Sequence, residues 1–203
     1  MTKKFFITGT DTGVGKTYMA AKLLADFNKQ GLSTVACKPI ASDSEMTKNG
    51  LRNSDALILQ KAASIKLPYT EVNPITFAPP IAPHIAAAQV NQKLTVKKLI
   101  TACQPALNYK SDVLIIEGVG GWYVPLNDKE TMADFVKALD LSVILIVSIR
   151  LGCLNHALLT HHAITTSGVK YAGWIANCIE PDMLALEENI ETLSNWFGQP
   201  PMI

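Results

Sequence analysis

Residues 5–17 read Phe-Phe-Ile-Thr-Gly-Thr-Asp-Thr-Gly-Val-Gly-Lys-Thr. The apolar start of this stretch is typical of a buried strand, the glycines of a tight loop, and the residues after Lys16 of a helix. Glycines let backbone N–H groups turn inward around an anion, and the following helix points its positive end at the same anion. The stretch therefore predicts a phosphate loop that binds a nucleoside triphosphate.

Lys16 and Thr17 end this loop and give it its chemical character. Lys16 is placed to reach the β- and γ-phosphates, and the Thr17 hydroxyl to bind a Mg²⁺ ion that bridges them. An ordinary glycine-rich turn would need neither side chain. A dinucleotide-binding fingerprint would need a third glycine, and Lys-Thr-Tyr stands there instead. Five residues separate Gly9 from Gly15, one more than usual, so the sequence predicts a variant of the standard loop.

The composition indicates one folded α/β domain over residues 1–203. Hydrophobic residues make up 48% of the 203 positions and charged residues 17%, a balance that argues against disorder. The formal net charge of +1 gives no basic field for nucleic acid or an anionic membrane. No charged-then-apolar leader precedes the first strand, and the apolar run 143–147 is far too short to span a bilayer. We therefore expect a cytoplasmic protein with no nucleic-acid or membrane partner.

The four cysteines show neither a Cys-x-x-Cys spacing nor an interleaved metal-ligand pattern. Reduced and mostly buried thiols are the expectation, with no disulfide and no zinc site.

Apolar runs alternate with helical stretches along the chain. Because the runs are almost continuously hydrophobic, they indicate strands covered on both faces, and hence a three-layer, doubly wound, mostly parallel sheet of the P-loop NTPase kind. The prolines between residues 66 and 92 predict an irregular but ordered excursion over the ligand-bearing edge. The predicted strands are 5–8, 34–37, 113–117, 143–148 and 171–177, and the predicted helices are 16–29, 54–63, 96–108, 132–139, 155–166 and 181–196.

Glu117 closes the buried strand Val113–Glu117 and is the expected second acid of the phosphate site, where it would help to hold a metal ion. Asp112 suits that role less well, because it precedes the strand and would lie roughly 15 Å away at 3.3 Å per residue. Gly118 and Gly120 follow Glu117 and would let a phosphate or a substrate approach the backbone closely. A plain turn is the alternative for these glycines.

Lys38 and Asp55 each permit two interpretations on the residues alone. Lys38 follows the strand 34–37, so its ammonium reaches the ligand-bearing edge and could stabilise a developing anion, or it could be an ordinary surface lysine. Asp55 could serve the site, or could merely favour the first turn of the following helix through the helix dipole.

Residues 152–155, Gly-Cys-Leu-Asn, precede or open a helix directly after a strand. The free backbone N–H groups of such a helix start form a natural carboxylate site, and a simple helix cap by Asn155 is the alternative. The nearby His156, His161 and His162 are not spaced to place three ligands on one helix face, so we expect them to be packing or surface residues.

Six motifs together are similar in order, spacing and identity to those of the dethiobiotin synthetase family. The resemblance runs from the first strand to about Asn177, and only the phosphate loop is shared widely with other nucleotide enzymes. The motifs are residues 9–17, Lys38-Pro39, residues 50–56, Pro83-His84, residues 117–121 and residues 151–156.

This resemblance implies an ATP- and Mg²⁺-dependent ligase of biotin biosynthesis. In the implied reaction 7,8-diaminononanoate and CO₂ form a carbamate, ATP phosphorylates it, and the second amine closes the ureido ring of dethiobiotin, releasing ADP and phosphate. Phosphoryl transfer needs chiefly positioning and charge neutralisation, which suits the residues described above.

The resemblance also implies a role for each site residue. It assigns Mg²⁺ to Thr17, Asp55 and Glu117, catalysis to Lys16, Lys38 and Thr12, and the carbamate end of the substrate to Thr12, Lys38 and Ser42. Residues Gly152, Cys153, Leu154 and Asn155 of a partner subunit would bind the substrate carboxylate, which implies a homodimer with two shared active sites. The ATP-binding residues would be Asp11, Thr12, Gly13, Val14, Gly15, Lys16, Thr17, Tyr18, Asp55, Glu117, Gly118, Gly120, Asn177 and Cys178.

Three departures from the family pattern limit this assignment. Gly13 stands where other members often carry an acidic residue, so no side-chain contact is expected from it. Only Asn177 matches at the strand end that reads the adenine, and Cys178 does not. The C-terminal segment is short relative to the family, so we expect looser enclosure of the base.

Two other nucleotide-dependent activities fit the sequence less well. A cobyrinate-type amide ligase would carry a glutamine-hydrolysing domain, for which 203 residues leave no space. A partitioning or assembly ATPase would carry a second lysine near the start of the loop, where this chain has Thr10, Asp11 and Thr12.

Overall fold

A five-stranded parallel sheet forms the centre of the structure, which is a computed structural model that describes residues 2–180 and 182–202. In the sequence each strand of this sheet contains a short apolar run, the composition expected for strands that are buried on both faces. The strands of this sheet are β1 Lys3–Gly9, β2 Thr34–Cys37, β7 Val113–Glu117, β8 Ser142–Ser148 and β9 Lys170–Asn177. Four further strands form two small sheets: β3 Ile40–Ala41, β4 Ser44–Thr47, β5 Gly50–Asn53 and β6 Ile75–Thr76.

The helices connect these strands and cover the sheet. Within the ranges described they are α1 Lys16–Lys29, α2 Ser54–Ala62, α3 Tyr69–Val72, α4 Pro83–Gln89, α5 Val96–Asn108, α6 Met132–Ala138, α7 Cys153–Thr166 and α8 Leu186–Phe197.

The order of the main sheet is β2-β7-β1-β8-β9, with every neighbouring pair parallel. The connection from β1 runs outward to β2 at one edge, and β8 and β9 lie on the opposite side of β1. The strand order therefore reverses beside β1, which is where open α/β sheets bind their ligands. Ile7 of β1 is paired with Glu117 of β7, so the phosphate loop and the acidic strand end emerge side by side.

Alternating residues of each strand fill two cores, one on each face of the sheet. Phe6 and Ile116 point to the face covered by α5, α6, α7 and α8, whereas Ile7 and Ile115 point to the face covered mainly by α1 and α2. All four side chains are at most 1% exposed. The predicted three-layer, doubly wound parallel architecture is confirmed, because only a sheet covered on both faces buries consecutive strand residues.

Some predicted boundaries and connections were wrong. The segment 66–92 is not simply irregular, because Pro68 and Pro83 precede or begin the short helices α3 and α4, where the fixed backbone angle of proline favours a helix start. Helix α7 begins at Cys153 rather than at residue 155. Helix α8 begins at Leu186, and the start predicted for it at residue 181 lies outside the described residues.

Two small sheets, β3-β6 and β4-β5, were not predicted. The β4-β5 hairpin leads directly into α2. Within residues 2–180 and 182–202, no helix is both long enough and apolar enough to cross a bilayer.

Candidate active site

The phosphate loop joins β1 to α1 and depends on two glycines in left-handed conformations. Gly13 has φ 75° and Gly15 has φ 85°, values that other residues adopt only with strain. A Cβ atom on Gly15 would also collide with the Asn177 side chain. Val14 is 1% exposed and packs into the core, so it offers the loop only its backbone.

Lys16 lies at the base of this loop, almost fully buried. Its Nζ donates a hydrogen bond to the Asp11 carbonyl at 2.8 Å, which folds the side chain back along the loop. Burial lowers the pKa of Lys16 to about 8, although the Glu117 carboxylate pulls in the opposite direction. A poorly solvated ammonium of this kind gains strongly from an anion that enters the loop.

Glu117 is the centre of the charged part of the site. Its Oε1 accepts hydrogen bonds from Thr17 Oγ1 at 2.8 Å and from Lys38 Nζ at 2.6 Å. Its Oε2 is buried and has no hydrogen-bond partner among the described residues. An unpartnered buried carboxylate oxygen is costly, and it indicates a ligand that the protein alone does not supply.

Lys38 is the buried cation of this group. Its Nζ lies 3.1 Å from Asp55 Oδ2 as well as 2.6 Å from Glu117 Oε1. Burial lowers the pKa of Lys38, but attraction to Glu117 and Asp55 outweighs burial and raises that pKa above its ordinary value. Of the two interpretations left open by the sequence, the surface lysine is wrong, because Lys38 is only 3% exposed.

Asn53 holds the start of the helix that carries Asp55. Sequence reasoning assigned no role to Asn53. Its side chain caps α2 by accepting a hydrogen bond from the Ala56 N–H at 3.2 Å, and its Nδ2 donates to the Ser42 carbonyl at 3.0 Å. The first turn of α2 therefore holds Asp55 toward Lys38. The Asn-Ser-Asp run before a helical stretch is an N-cap signal that could have identified Asn53.

The oxygen atoms of this group suit a magnesium ion. The Thr17 hydroxyl and the Asp55 and Glu117 carboxylates are hard oxygen donors, and Glu117 Oε2 is the buried atom that lacks a partner. Asp112 lies at the opposite end of β7, where it accepts hydrogen bonds from Ser33, and these bonds lower its pKa. The sequence-based choice of Glu117 rather than Asp112 as the acid of the phosphate site agrees with this arrangement.

The glycines after Glu117 let the chain pass close to the phosphate loop. A Cβ on Gly118 would lie 2.7 Å from Phe6 Cζ, so Gly118 is required for packing against β1. Gly120 has φ 59°, and a Cβ there would come within 3.7 Å of Thr12 Oγ1. These residues bring a second loop directly against the phosphate loop.

A cavity of about 850 Å³ opens beside the charged group. Pro80 to Pro83 and Val124 form an apolar wall, which confirms that the proline-rich excursion covers the active edge. Ser42 contributes a hydroxyl that is buried and unpartnered within the described part of the chain. The predicted site residues that line the cavity are Thr12, Gly13, Gly15, Lys16, Thr17, Tyr18, Lys38, Ser42, Asp55, Glu117 and Gly120.

Other predicted residues, all within the described ranges, lie outside that cavity. Asn177 is buried, and its Nδ2 donates to the Val14 carbonyl at 2.8 Å, so it braces the phosphate loop. Cys178 is exposed just beyond β9. The residues outside the lining are Asp11, Val14, Gly118, Asn177, Cys178 and 152–155.

The segment 152–155 lies at the start of α7 and does not line the cavity of its own chain. Gly152 has φ 88° and occupies the N-cap position, so the alternative of a cap by Asn155 is wrong. Leu151 just before it is 96% exposed. Arg150, two residues before the segment, has Nη2 3.9 Å from Asp11 Oδ2 of the phosphate loop, a contact that sequence reasoning missed.

Within the described residues no histidine or cysteine side chain hydrogen bonds to Lys38, Asp55 or Glu117. The His161 ring stacks on Phe197 with a centroid separation of 4.2 Å and meets Tyr171 edge-on at 4.8 Å, as expected for a packing residue. Cys37, Cys103 and Cys153 are buried free thiols, and Cys178 is an exposed one.

Comparison with known proteins gives consistent results. An AAA domain family model matches residues 3–201. The ATP-dependent dethiobiotin synthetase of Pseudomonas aeruginosa (strain UCBPP-PA14) is 47% identical over 97% of this chain and 86% of that protein. The enzyme with the same name from Cellvibrio japonicus is 48% identical over 98% of this chain and 86% of that protein. The one from Aeromonas hydrophila is 44% identical over 98% of this chain and 88% of that protein.

Solved structures at low sequence identity share the fold. The septum site-determining protein MinD of Pyrococcus horikoshii, complexed with Mg-ADP, has a TM-score of 0.54 at 17% identity, over 99% of this chain and 79% of that one. A ParA family ATPase of Chlorobium tepidum has a TM-score of 0.54 at 13% identity, over 100% and 83%. These likenesses identify the fold as that of P-loop NTPases.

Proposed function

The chain belongs to the ATP-dependent dethiobiotin synthetase family, and on that basis we propose how its residues carry out the reaction of the family. The activity is that of an ATP-dependent ligase that forms C–N bonds, and its product serves biotin biosynthesis. The observation that carries the proposal is the contact of Lys38 Nζ with both Glu117 and Asp55 at the wall of the cavity, directly beside the phosphate loop.

The first step takes place at the polar end of the cavity. One amine of 7,8-diaminononanoate attacks CO₂, a C–N bond forms, and a proton leaves the nitrogen, giving a carbamate anion. Lys38 neutralises that anion, and the hydroxyls of Ser42 and Thr12 donate hydrogen bonds to it. The buried, unpartnered Ser42 hydroxyl supports this assignment, because a substrate oxygen would satisfy it.

Phosphoryl transfer follows at the phosphate loop. A carbamate oxygen takes the γ-phosphoryl group of ATP and ADP leaves. The second amine then attacks the carbamoyl carbon and forms the second C–N bond, the bond from that carbon to the phosphate oxygen breaks as inorganic phosphate leaves, and the attacking nitrogen loses a proton. Lys16 offsets the negative charge that develops on the phosphates, and the backbone N–H groups from Gly13 to Thr17 hold them in line.

Thr17, Asp55 and Glu117 would hold the Mg²⁺ ion that accompanies ATP. When bound, this ion neutralises charge on the β- and γ-phosphates. The three side chains offer only oxygen donors, and Glu117 Oε2 is free to become a ligand without breaking a hydrogen bond within the described residues.

The remaining nucleotide contacts lie along the loop and at the ends of the neighbouring strands. We assign the triphosphate and ribose to Asp11, Tyr18, Gly118 and Gly120 and the phosphate-loop backbone. Asn177, whose Nδ2 is engaged by Val14, has a carbonyl oxygen to offer the amino group of adenine, with Cys178 beside it.

Residues 152–155 would serve the active site of a second subunit. Their backbone N–H groups at the start of α7 suit the carboxylate of the substrate tail. Two observations support this role: the segment lies outside the cavity of its own chain, and Leu151 next to it is almost fully exposed. The protein would then be a homodimer with two shared sites.

The test is turnover of ATP under defined conditions. We expect ADP release that requires both the diamine and bicarbonate, and ¹³C from labelled bicarbonate in the ureido carbonyl of the product, detected by mass spectrometry. ATP hydrolysis that is independent of the diamine but stimulated by a protein or DNA partner would contradict the proposal and favour a nucleotide-operated switch.

A further inference from the structure

Two carboxylates of the active site are already engaged by a cation of the protein itself. Lys38 Nζ lies 2.6 Å from Glu117 Oε1 and 3.1 Å from Asp55 Oδ2. These carboxylates are the ones assigned above to the metal ion. The Lys38 ammonium therefore compensates the charge that a divalent ion would otherwise compensate.

The Lys38 ammonium and a metal ion compete for the same two carboxylate groups. Glu117 Oε1 accepts hydrogen bonds from Thr17 and from Lys38 at once, and Lys38 also contacts Asp55, so all three proposed metal ligands are joined to each other or to Lys38. A cation that binds Asp55 and Glu117 together would meet the Lys38 ammonium between them, and like charges at such separations repel in a buried site.

The Lys38 backbone is fixed, so the ammonium can leave the two carboxylates only by rotation of the side chain. Its backbone is held on both sides, since its N–H donates to the Val72 carbonyl at 2.7 Å and its carbonyl accepts from Asn73 Nδ2 at 2.7 Å. The side chain has four rotatable bonds and lines the cavity, together with the unpartnered hydroxyl of Ser42. An anion in that part of the cavity would offer the ammonium a new partner.

We propose that Lys38 couples the substrate site to the metal site: without carbamate its ammonium occupies Asp55 and Glu117, and the carbamate draws it away and frees both carboxylates for the divalent ion. The inference rests on the proposed function for the identity of the anion and the metal ligands. Binding of carbamate and of metal then favour each other by the same factor, as linkage requires. ATP is protected from idle hydrolysis, because the metal site is complete only when the acceptor is present.

The first experiment measures Mn²⁺ affinity by electron paramagnetic resonance, without nucleotide or diamine. Lys38→Gln should bind Mn²⁺ about tenfold or more tightly than the wild type, because the variant lacks the ammonium that competes with the ion for the carboxylates. Lys38→Arg retains the competing cation and should bind as the wild type does.

Lys16→Gln is the matched control for charge alone. Lys16 is also buried and lies near Glu117, but its Nζ donates to the Asp11 carbonyl and not to a carboxylate. An equal gain in affinity in Lys16→Gln and Lys38→Gln would overturn the inference, because the effect would then be long-range electrostatics. An unchanged affinity in Lys38→Gln would overturn it as well. Lys38→Met replaces Lys38→Gln if thermal unfolding shows that the glutamine variant does not fold.

The second experiment tests the coupling. With a non-hydrolysable ATP analogue present, diamine and bicarbonate together should tighten Mn²⁺ binding to the wild type, whereas either compound alone should not. Lys38→Gln should show no such gain. An equal gain in the variant, or none in the wild type, overturns the coupling. These outcomes are distinct from failure of the proposed function, which would appear as a wild-type protein that forms no dethiobiotin.

Discussion

Lys38 and Glu117 form an ion pair of 2.6 Å between two side chains that are 3% and 1% exposed as residues. They are 79 positions apart in the chain and come from the ends of the adjacent strands β2 and β7. A buried pair of this kind contributes little net stability as a pair, but breaking it is costly because the remaining charge is left uncompensated.

Replacing Glu117 tests this cost. Glu117→Gln should lower the free energy of unfolding by about 3 kcal/mol, since Lys38 would retain only the more exposed Asp55 as a counter-ion. Urea denaturation measures the change, and Glu191→Gln on the exposed face of α8 is the control. Equal stability of the two variants would contradict the buried-pair interpretation.

The pKa of Lys16 predicts how ATP binding depends on pH. This pKa is about 8 in the folded protein and 10.5 for the free side chain, so the group loses its charge in the native state as pH rises through 8. Phosphates favour the charged form, so ATP binding should take up a proton near pH 8 and weaken above it. Calorimetry in buffers of different ionisation enthalpy measures this uptake.

The lowered pKa of Lys16 also affects the pH dependence of stability. An ion pair would raise the pKa of a lysine and make stability fall with pH, and here the dependence is the reverse. Between pH 8 and 10.5 the unfolded chain binds more protons at Lys16 than the native chain does, so this residue contributes a free energy of unfolding that increases with pH in that window. Lys16→Met should remove both the proton uptake and this rise. A variant that keeps either one would show that another group is responsible.

Lys38→Ala should separate nucleotide binding from ring formation. Lys38 contacts the carboxylates and the cavity but lies outside the phosphate loop, so ATP binding should persist while dethiobiotin formation falls by at least about a hundredfold. Product yield by mass spectrometry and nucleotide binding by fluorescence measure the two effects. Lys48→Ala, in the exposed turn of the β4-β5 hairpin, should match the wild type in both.

Gly15 and Gly31 provide a matched pair for the phosphate loop. Their φ angles are 85° and 78°, so an alanine costs about 1 kcal/mol of backbone strain at either position. Only at Gly15 would the added Cβ meet Asn177, whereas Gly31 has nothing within 4 Å. Gly15→Ala should therefore abolish ATP binding measured by calorimetry, and Gly31→Ala should retain it. Loss of binding in both would show that strain alone decides.

The proposed sharing of active sites predicts complementation between two inactive variants. Lys38→Ala disables the site of its own chain, and Asn155→Asp places a negative charge where the partner's substrate carboxylate would bind. Random mixing of subunits gives about half heterodimers with one intact site each, so activity should recover to about a quarter of the wild type. Absence of recovery, with mixed dimers demonstrated by mass spectrometry, would contradict shared sites.

The prediction from sequence was reliable where a local pattern dictates backbone geometry. The apolar runs identified every strand of the main sheet, because consecutive buried residues require cover on both faces. It was less reliable in residues 66–92, where the prolines predict an irregular excursion but Pro83 starts the helix α4. The Asn-Ser-Asp run signals that Asn53 caps α2, but no local pattern indicates its second contact, with the Ser42 carbonyl, which helps to place the start of α2.

By itself, the sequence determined the phosphate loop and the layers around the sheet. These follow from properties that each residue carries with it: the left-handed conformations open to Gly13 and Gly15, and the apolar faces of the strands and helices. Only the tertiary structure decided that Lys38, Asp55 and Glu117 meet, and that residues 152–155 lie outside their own cavity. Such meetings depend on the strand order β2-β7-β1, which sets residues distant in the chain side by side and is not encoded at any one position.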